Sequence, residues 1–348
     1  TGNMASNRRV YLTRRPGEDK PPSDDCFGIE NCDIEDIGNG HVKVKALYLS
    51  VDPYMRCRMN EDSGVEYVKS WNIGGTITSQ GIGEVLESNS NKFKKGDVII
   101  SESLDTEWKD IFTLNESQGR LLELPPGTSP SWALGALGMP GLSAALGLIK
   151  KAEIKGGETM VVSGAAGAVG NVAGQLAKSM GVKRVIGICG TDEKCNLLKT
   201  IGFDDVINYK TANVADVLNE ICSGQVDIYF DNVGGSVSDA VIGEMVKGGR
   251  VVLCGQISAY NQTGEYPPPL PTSTKEKLSS LEIKRERFLV LDYMEDFEKT
   301  LGLLAQKVLQ GEIIVKETTI TGLENAGLAF VSMMKGGNIG KMIVKCQK

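Results

Sequence analysis

The sequence predicts an α/β protein of two domains, and three observations carry that prediction. Apolar runs alternate with amphipathic helical stretches through the middle of the chain, as in βαβ crossovers around a buried parallel sheet. The first third holds short alternating segments between turn residues, the pattern of an antiparallel, barrel-like region. The length of 348 residues fits two domains at about 150 residues each.

Taken in order, Val42-Lys43-Val44-Lys45-Ala46-Leu47 alternates with period two, as a half-buried strand does. Residues 83–87 and 97–100 add short strands. The middle gives strands over 160–163, 185–190, 206–209, 226–231 and 251–255. Helices are expected over 168–181, from 193, from 213 and between the last two strands. Tyr266-Pro267-Pro268-Pro269-Leu270-Pro271 cannot donate ladder bonds and reads as an extended loop, either a lid or a linker. The tail gives a strand over 288–293, a helix over 295–310, a strand over 313–320, a helix over 323–335 and a last strand over 341–346. Residues 124–149 carry no charge, yet Pro125, Pro126, Pro130 and Pro140 interrupt them. They read as a loop and short buried helices, not a membrane span.

Composition narrows the function. Hydrophobic residues make up 41% and charged residues 24%, which excludes global disorder. Lys+Arg number 38 against Asp+Glu 44, a net charge of −6, so a nucleic-acid or acidic-membrane partner is not expected. His41 is the one histidine, in a Gly38-Asn39-Gly40-His41 turn, so a His-rich zinc site is excluded. The 8 cysteines form no CxxC pair and fit a reducing cytosol, with Cys189 a core residue. No metal is expected. No signal peptide is visible, and Thr1-Gly2-Asn3 before Met4 reads as a remnant of expression.

Chemistry concentrates after the first strand of the middle region. Gly164-Ala165-Ala166-Gly167-Ala168-Val169-Gly170 follows the dinucleotide pattern, with Ala165 in place of the first glycine. Gly167 lets backbone amides approach a pyrophosphate, and Gly170 lets the helix pack against the strand. The helix N-terminus favours the anion. The second strand ends Cys189-Gly190-Thr191, small and neutral, which leaves room for a 2′-phosphate beside Lys194. Asp192 stands where an NAD-binding acid would, but it also suits the N-cap of the next helix. NADP is therefore favoured over NAD. Asn232 and Gly255, after the fourth and fifth strands, would face the cofactor.

Together these runs are recognisable. With Leu49-Ser50-Val51-Asp52-Pro53-Tyr54-Met55-Arg56, Gly138-Met139-Pro140-Gly141-Leu142, Asp231-Asn232-Val233-Gly234-Gly235, Cys254-Gly255-Gln256-Ile257-Ser258-Ala259-Tyr260-Asn261 and Gly337-Asn338-Ile339-Gly340-Lys341, the chain resembles the medium-chain dehydrogenase/reductase superfamily. The branch is that of the zinc-free prostaglandin reductases (leukotriene dehydrogenases, alkenal/one reductases). The Met55-to-Asn60 run and the triple proline look most like the type 2 members, whereas Ser101-to-Trp108 departs from them.

The resemblance implies a GroES-like β-barrel catalytic domain (4–128 and 315–348) and a Rossmann doubly wound parallel-sheet NADP-binding domain (129–314). It implies that Lys194 and Tyr209 hold the 2′-phosphate. Gly167, Ala168, Val169, Gly170, Gly190, Asn232, Cys254, Gly255, Gln256, Ile257, Ser258, Tyr260 and Asn338 line the NADPH site. Tyr67, Tyr260 and the Phe288-Leu289-Val290 strand border the substrate.

The expected reaction is NADPH-dependent reduction of the C=C bond of an α,β-unsaturated ketone or aldehyde, a lipid enone such as a 15-oxoprostaglandin (15-oxoprostaglandin 13-reductase activity). The zinc ligands of the alcohol dehydrogenases are missing, so no Lewis acid is expected to hold an alkoxide. An enolate asks for less: hydrogen-bond donors worth about 2.7–4 kcal/mol each. The donors expected are the Tyr260 hydroxyl, the cofactor's ribose hydroxyl and Tyr67. An NADPH quinone oxidoreductase and a non-catalytic NADPH-binding protein are the alternatives. A cytoplasmic monomer or homodimer is expected, with no membrane or nucleic-acid partner.

Overall fold

A computed structural model describes residues 7–262 and 264–347. The remnant assigned to residues 1–3 lies outside them. The chain forms two compact units, one of Thr1–Leu134, Thr318–Asn338 and Met342–Lys348, the other of Gly135–Glu317 and Ile339–Lys341.

The first unit is β-rich. It contains β1 (Asn7–Leu12), β2 (Phe27–Cys32), β3 (His41–Val51), the single turn α1 (Met55–Arg58), β4 (Thr78–Ser79), β5 (Gly81–Ser88), β6 (Val98–Ser101), β7 (Thr106–Glu107), β8 (Ile111–Asn115) and β9 (Gly119–Leu121). The expected period-two strand lies within β3. Val42, Val44 and Ala46 are fully buried, while Lys43 turns outward to Glu87 of β5 at 3.0 Å. β3 pairs antiparallel with β5 on one edge and β8 on the other. His41 opens β3 with its Nδ1 3.0 Å from the Asn39 carbonyl.

The second unit contains α2 (Met139–Gly147), β10 (Thr159–Ser163), α3 (Ala168–Ser179), β11 (Arg184–Cys189), α4 (Asp192–Thr200), β12 (Asp205–Asn208), α5 (Val214–Cys222), β13 (Val226–Asp231), α6 (Gly235–Gly243), β14 (Met245–Leu253), α7 (Thr272–Ser280), β15 (Lys284–Arg287) and α8 (Phe297–Leu309). Its strands run parallel in the order β12-β11-β10-β13-β14-β15. This is the doubly wound arrangement, with its switch point between β10 and β13, where such sheets bind ligands. Val161, Val162, Ile186, Ile228 and Tyr229 are fully buried, as a sheet covered on both faces requires. The tail adds β16 (Glu317–Thr321), α9 (Ala326–Met334) and β17 (Lys341–Lys345), with β17 joining β3.

Several expectations are corrected. The strand expected over 288–293 lies earlier, as β15. Its charged KRER run is tolerated on the sheet edge, while Phe288 and Tyr293 instead stack with ring centroids 5.8 Å apart around a 3₁₀ turn, Val290–Asp296. The strand expected from 313 begins only at Glu317. Residue 314 finds a side chain in place of a ladder: its N–H donates to Gln175 Oε1 at 2.8 Å and its carbonyl accepts from Gln175 Nε2 at 3.2 Å. Cys254 and Gly255 are not strand either, because their N–H groups fold back onto the Asp231 carbonyl at 2.9 and 3.0 Å. The N-cap of α4 is Thr191, whose hydroxyl accepts from the Lys194 N–H at 3.2 Å, not Asp192. A hydroxyl at the extended residue reaches the third amide, whereas Asp192 is already helical and accepts instead from Asn208 Nδ2 at 2.8 Å. Among the described residues, no helix is long and apolar enough to cross a membrane. All eight cysteines are free, and Cys189 is buried.

Candidate functional site

The second unit builds a cradle at the carboxyl ends of its strands. After β10 the chain turns through Gly164–Gly167, where the Gly167 N–H donates to the Gly164 carbonyl at 2.9 Å. Gly167 then caps α3 with no side-chain acceptor, so the first amides of a twelve-residue helix are left for an anion. Gly170 must be glycine: a Cβ there would stand 2.4 Å from the Gly164 carbonyl oxygen. A strap closes the turn from behind, the Gly340 N–H donating to the Ala166 carbonyl at 2.7 Å.

One strand over, Tyr209 closes on Gly190, and Lys194 lies near enough to their neighbours Cys189 and Lys210 to feel their charge. The Tyr209 N–H donates to the Cys189 carbonyl at 3.1 Å. Its ring roofs Gly190, where a Cβ would lie 3.0 Å from the phenol oxygen. Burial pushes the Lys194 amine below the usual lysine range, and the neighbouring Lys210 charge pushes it further the same way. A desolvated cation beside a glycine floor suits a phosphate group. The Cys189 and Cys195 sulfurs lie 3.4 Å apart beneath, and burial raises the Cys189 thiol to about 12.

Two loops close the far side. Asp231, fully buried, accepts from Tyr229 Oη and Ser238 Oγ at 2.8 Å each, from Ser163 Oγ at 3.2 Å, and from the Val233 and Gly234 amides at 3.0 and 2.8 Å. This carboxylate shapes the turn after β13. It also joins burial in raising the Cys254 thiol to about 12. The loop after β14 zips onto that turn, with the Ile257 and Ser258 amides donating to the Asn232 and Val233 carbonyls at 3.4 and 3.1 Å. Asn232 spends its side-chain N–H on the Ser163 carbonyl at 2.8 Å. The Tyr260 hydroxyl stands over Gly255, since a Cβ there would lie 3.4 Å from both that oxygen and the Asn232 carbonyl. The Tyr260 and Tyr266 rings are 6.0 Å apart. Phe288 and Val290 are buried at the end of β15, and Leu289 between them is half-buried.

Tyr67 and Asn338 belong to the first unit. Tyr67 meets the ring of Tyr54 edge-on, with centroids 6.2 Å apart. Sequence reasoning gave Tyr54 and the Asp231 network no role. The Tyr54 hydroxyl is buried without a partner, and its place in the Leu49-to-Arg56 run was the available signal. Most donors to Asp231 are local, Tyr229 on its own strand and Val233, Gly234 and Ser238 just after it, but Ser163 comes from β10, 68 residues away.

The matches with known proteins agree with this geometry. Residues 8–121 match a model described as the N-terminal domain of oxidoreductase. Residues 168–305 match one described as zinc-binding dehydrogenase. Among the described residues, no group of three or more His, Cys, Asp or Glu is placed to hold a metal ion. Fold and cradle thus define a dinucleotide-binding dehydrogenase of two parts. YfmJ of Bacillus subtilis (strain 168), named as an NADP-dependent oxidoreductase, is 39% identical over 98% of both chains. Prostaglandin reductase 1 of Oryctolagus cuniculus is 40% identical over 92% of this chain and 88% of its own length. The crystal structure of CurA from Vibrio vulnificus in complex with NADPH is 36% identical, with a TM-score of 0.89 over 98% of this chain and 99% of that one. The chain belongs to the medium-chain dehydrogenase/reductase family, in its zinc-independent prostaglandin reductase branch.

Proposed function

We propose that the protein is an NADPH-dependent reductase of the activated C=C bond in α,β-unsaturated ketones and aldehydes, with 15-oxoprostaglandins and lipid-derived alkenals as its substrate class. The observation that carries this reading is the Tyr260 hydroxyl, held over Gly255 at the carboxyl end of the sheet, in a chain 40% identical to a prostaglandin reductase.

The cradle fits the cofactor. Gly167, Ala168, Val169 and Gly170 would take the pyrophosphate at the bare helix start. Gly190, Lys194 and Tyr209 would take the 2′-phosphate. Asn232, the Cys254-Gly255-Gln256-Ile257-Ser258 loop and Asn338 would line the remainder. When bound, NADPH supplies the hydride that the β-carbon of the enone receives. The chain's own work is orientation and charge control. As hydride arrives, negative charge gathers on the carbonyl oxygen, and the Tyr260 hydroxyl donates to it. The α-carbon takes its proton from solvent, giving the saturated carbonyl compound. Tyr67 and the Phe288-Leu289-Val290 segment are assigned to the substrate. Residues 4–128 with 315–348 are assigned as the catalytic domain and 129–314 as the cofactor domain; residues 4–6 lie outside the described residues.

The test is NADPH consumption with an oxoprostaglandin, a medium-chain alkenal and a quinone, with product analysis. Saturation of the enone C=C bond supports the reading. Turnover of the quinone alone overturns it.

A further inference from the structure

We infer that Arg58 is a positioning residue for substrate: it locks the loop that carries Tyr67 and joins it to the segment after β6. The inference rests on the reading of Tyr67 as a substrate contact.

Arg58 ends α1 and is 5% exposed. Its Nε donates to the Lys69 carbonyl at 2.9 Å and its Nη1 to the Leu104 carbonyl at 2.9 Å. Its Nη2 donates to Asp105 Oδ1 at 3.2 Å. The guanidinium also lies over the Trp71 ring, 4.9 Å from the centroid. One planar fork therefore fixes two chain segments remote in sequence, and only arginine has donors spread widely enough.

The loop from 60 to 71 has no strand or helix longer than a turn to hold it. Its two ends are tied by Arg15, whose Nη1 donates to the Asn60 carbonyl at 2.6 Å and Nη2 to the Trp71 carbonyl at 3.1 Å. Inside the loop Ser63 Oγ donates to the Val68 carbonyl at 2.7 Å, and Arg58 holds the next carbonyl along, that of Lys69, two residues after Tyr67. The joined segments are unusual in a second way. Tyr54 lies one helical turn before Arg58, Ser70 follows Lys69, and Thr106 follows Asp105; all three carry buried hydroxyls with no hydrogen-bond partner. A buried unsatisfied hydroxyl is costly to keep. Within the proposal, the oxygens of a bound substrate would be what satisfies them.

The test is a double-mutant cycle of Arg58→Gln and Tyr67→Phe, read as kcat and KM for enone and for NADPH. Misplacing a contact by about an ångström costs on the order of a hundredfold, so each single variant should lower kcat/KM for the enone by tenfold or more. KM for NADPH should stay within twofold. The double variant should be no worse than the poorer single one, because Arg58 acts through Tyr67. If the losses multiply, or if Arg58→Gln is silent, the inference falls while the reading of Tyr67 stands. If Tyr67→Phe is silent, the reading itself falls and takes the inference with it. A rise in KM for NADPH equal to that for enone would mark general damage and also overturn the inference. Should Arg58→Gln not fold, Arg58→Lys enters the same cycle under the same criteria.

Discussion

Replacing Lys194 with alanine tests the cofactor assignment at its most charged point. Two unit charges about 4 Å apart interact by roughly 4 kcal/mol at the effective dielectric near a protein surface. Part of this is offset, because the amine is already partly desolvated, as its lowered pKa shows. Lys210, close enough to perturb Lys194, would keep some attraction after the change. A net loss of about 2–3 kcal/mol remains, which is a rise in KM for NADPH of roughly 30- to 150-fold. NADH lacks the 2′-phosphate, so its KM should move less than twofold. Initial rates with a fixed alkenal and varied coenzyme give both numbers. If both KM values rise equally, the lysine holds no phosphate. Adding Lys210→Ala should deepen the NADPH defect alone.

Three further predictions stand beside this one. Burial and Lys210 lower the Lys194 pKa from 10.5, so the amine loses its proton at a lower pH than an ordinary lysine. KM for NADPH should accordingly climb as pH rises through that lowered value, while KM for NADH stays level; Lys194→Ala should abolish the climb. Tyr260→Phe should cut kcat by the worth of one oxyanion donor, about 2.7–4 kcal/mol or 10²- to 10³-fold, and weaken NADPH binding, read by fluorescence titration, by much less; an unaltered kcat would remove the phenol from the mechanism. Asp231→Asn should destabilise the protein by about 3 kcal/mol in urea unfolding, since hydrogen bonds to a charged group contribute roughly 1.5–3 kcal/mol each and the amide would turn an N–H toward donors such as the Gly234 amide, now 2.8 Å from the carboxylate. No change in midpoint would show that the charge is not what orders this turn.

The parts of the fold legible in sequence were those set by local rules. Val42-Lys43-Val44-Lys45 showed its buried face by alternation, and the glycine spacing through Gly167 and Gly170 showed where a tight turn opens α3, a position at which the structure leaves no room for a Cβ on Gly170. What was not legible depended on partners far along the chain. Residues 313–316 look like the start of a strand, yet Gln175 of α3 takes the hydrogen bonds of Ile314. The apolar Phe288-Leu289-Val290 run looks like a strand, but after the Phe288 N–H bonds the Leu253 carbonyl of β14 at 3.0 Å the chain leaves the sheet for a 3₁₀ turn from Val290, over which Phe288 stacks on Tyr293. At α4, Thr191 and Asp192 are both good caps, and only backbone conformation chooses between them. Arg58 was invisible as a clamp because its acceptors lie 11 and 46 residues away.

The glutamine of α3 has one more consequence. A primary amide offers a donor and an acceptor side by side, so Gln175 imitates a single residue of a neighbouring strand toward Ile314. With the Gly340 N–H donating to the Ala166 carbonyl, the turn after β10 and helix α3 are each fastened to stretches of polypeptide more than 130 residues further along the chain. A chain stopped near residue 310 would still contain every strand of the six-membered sheet, but neither fastening. The turn and helix proposed to receive the cofactor are therefore held in part by contacts that the six strands of their own sheet do not supply.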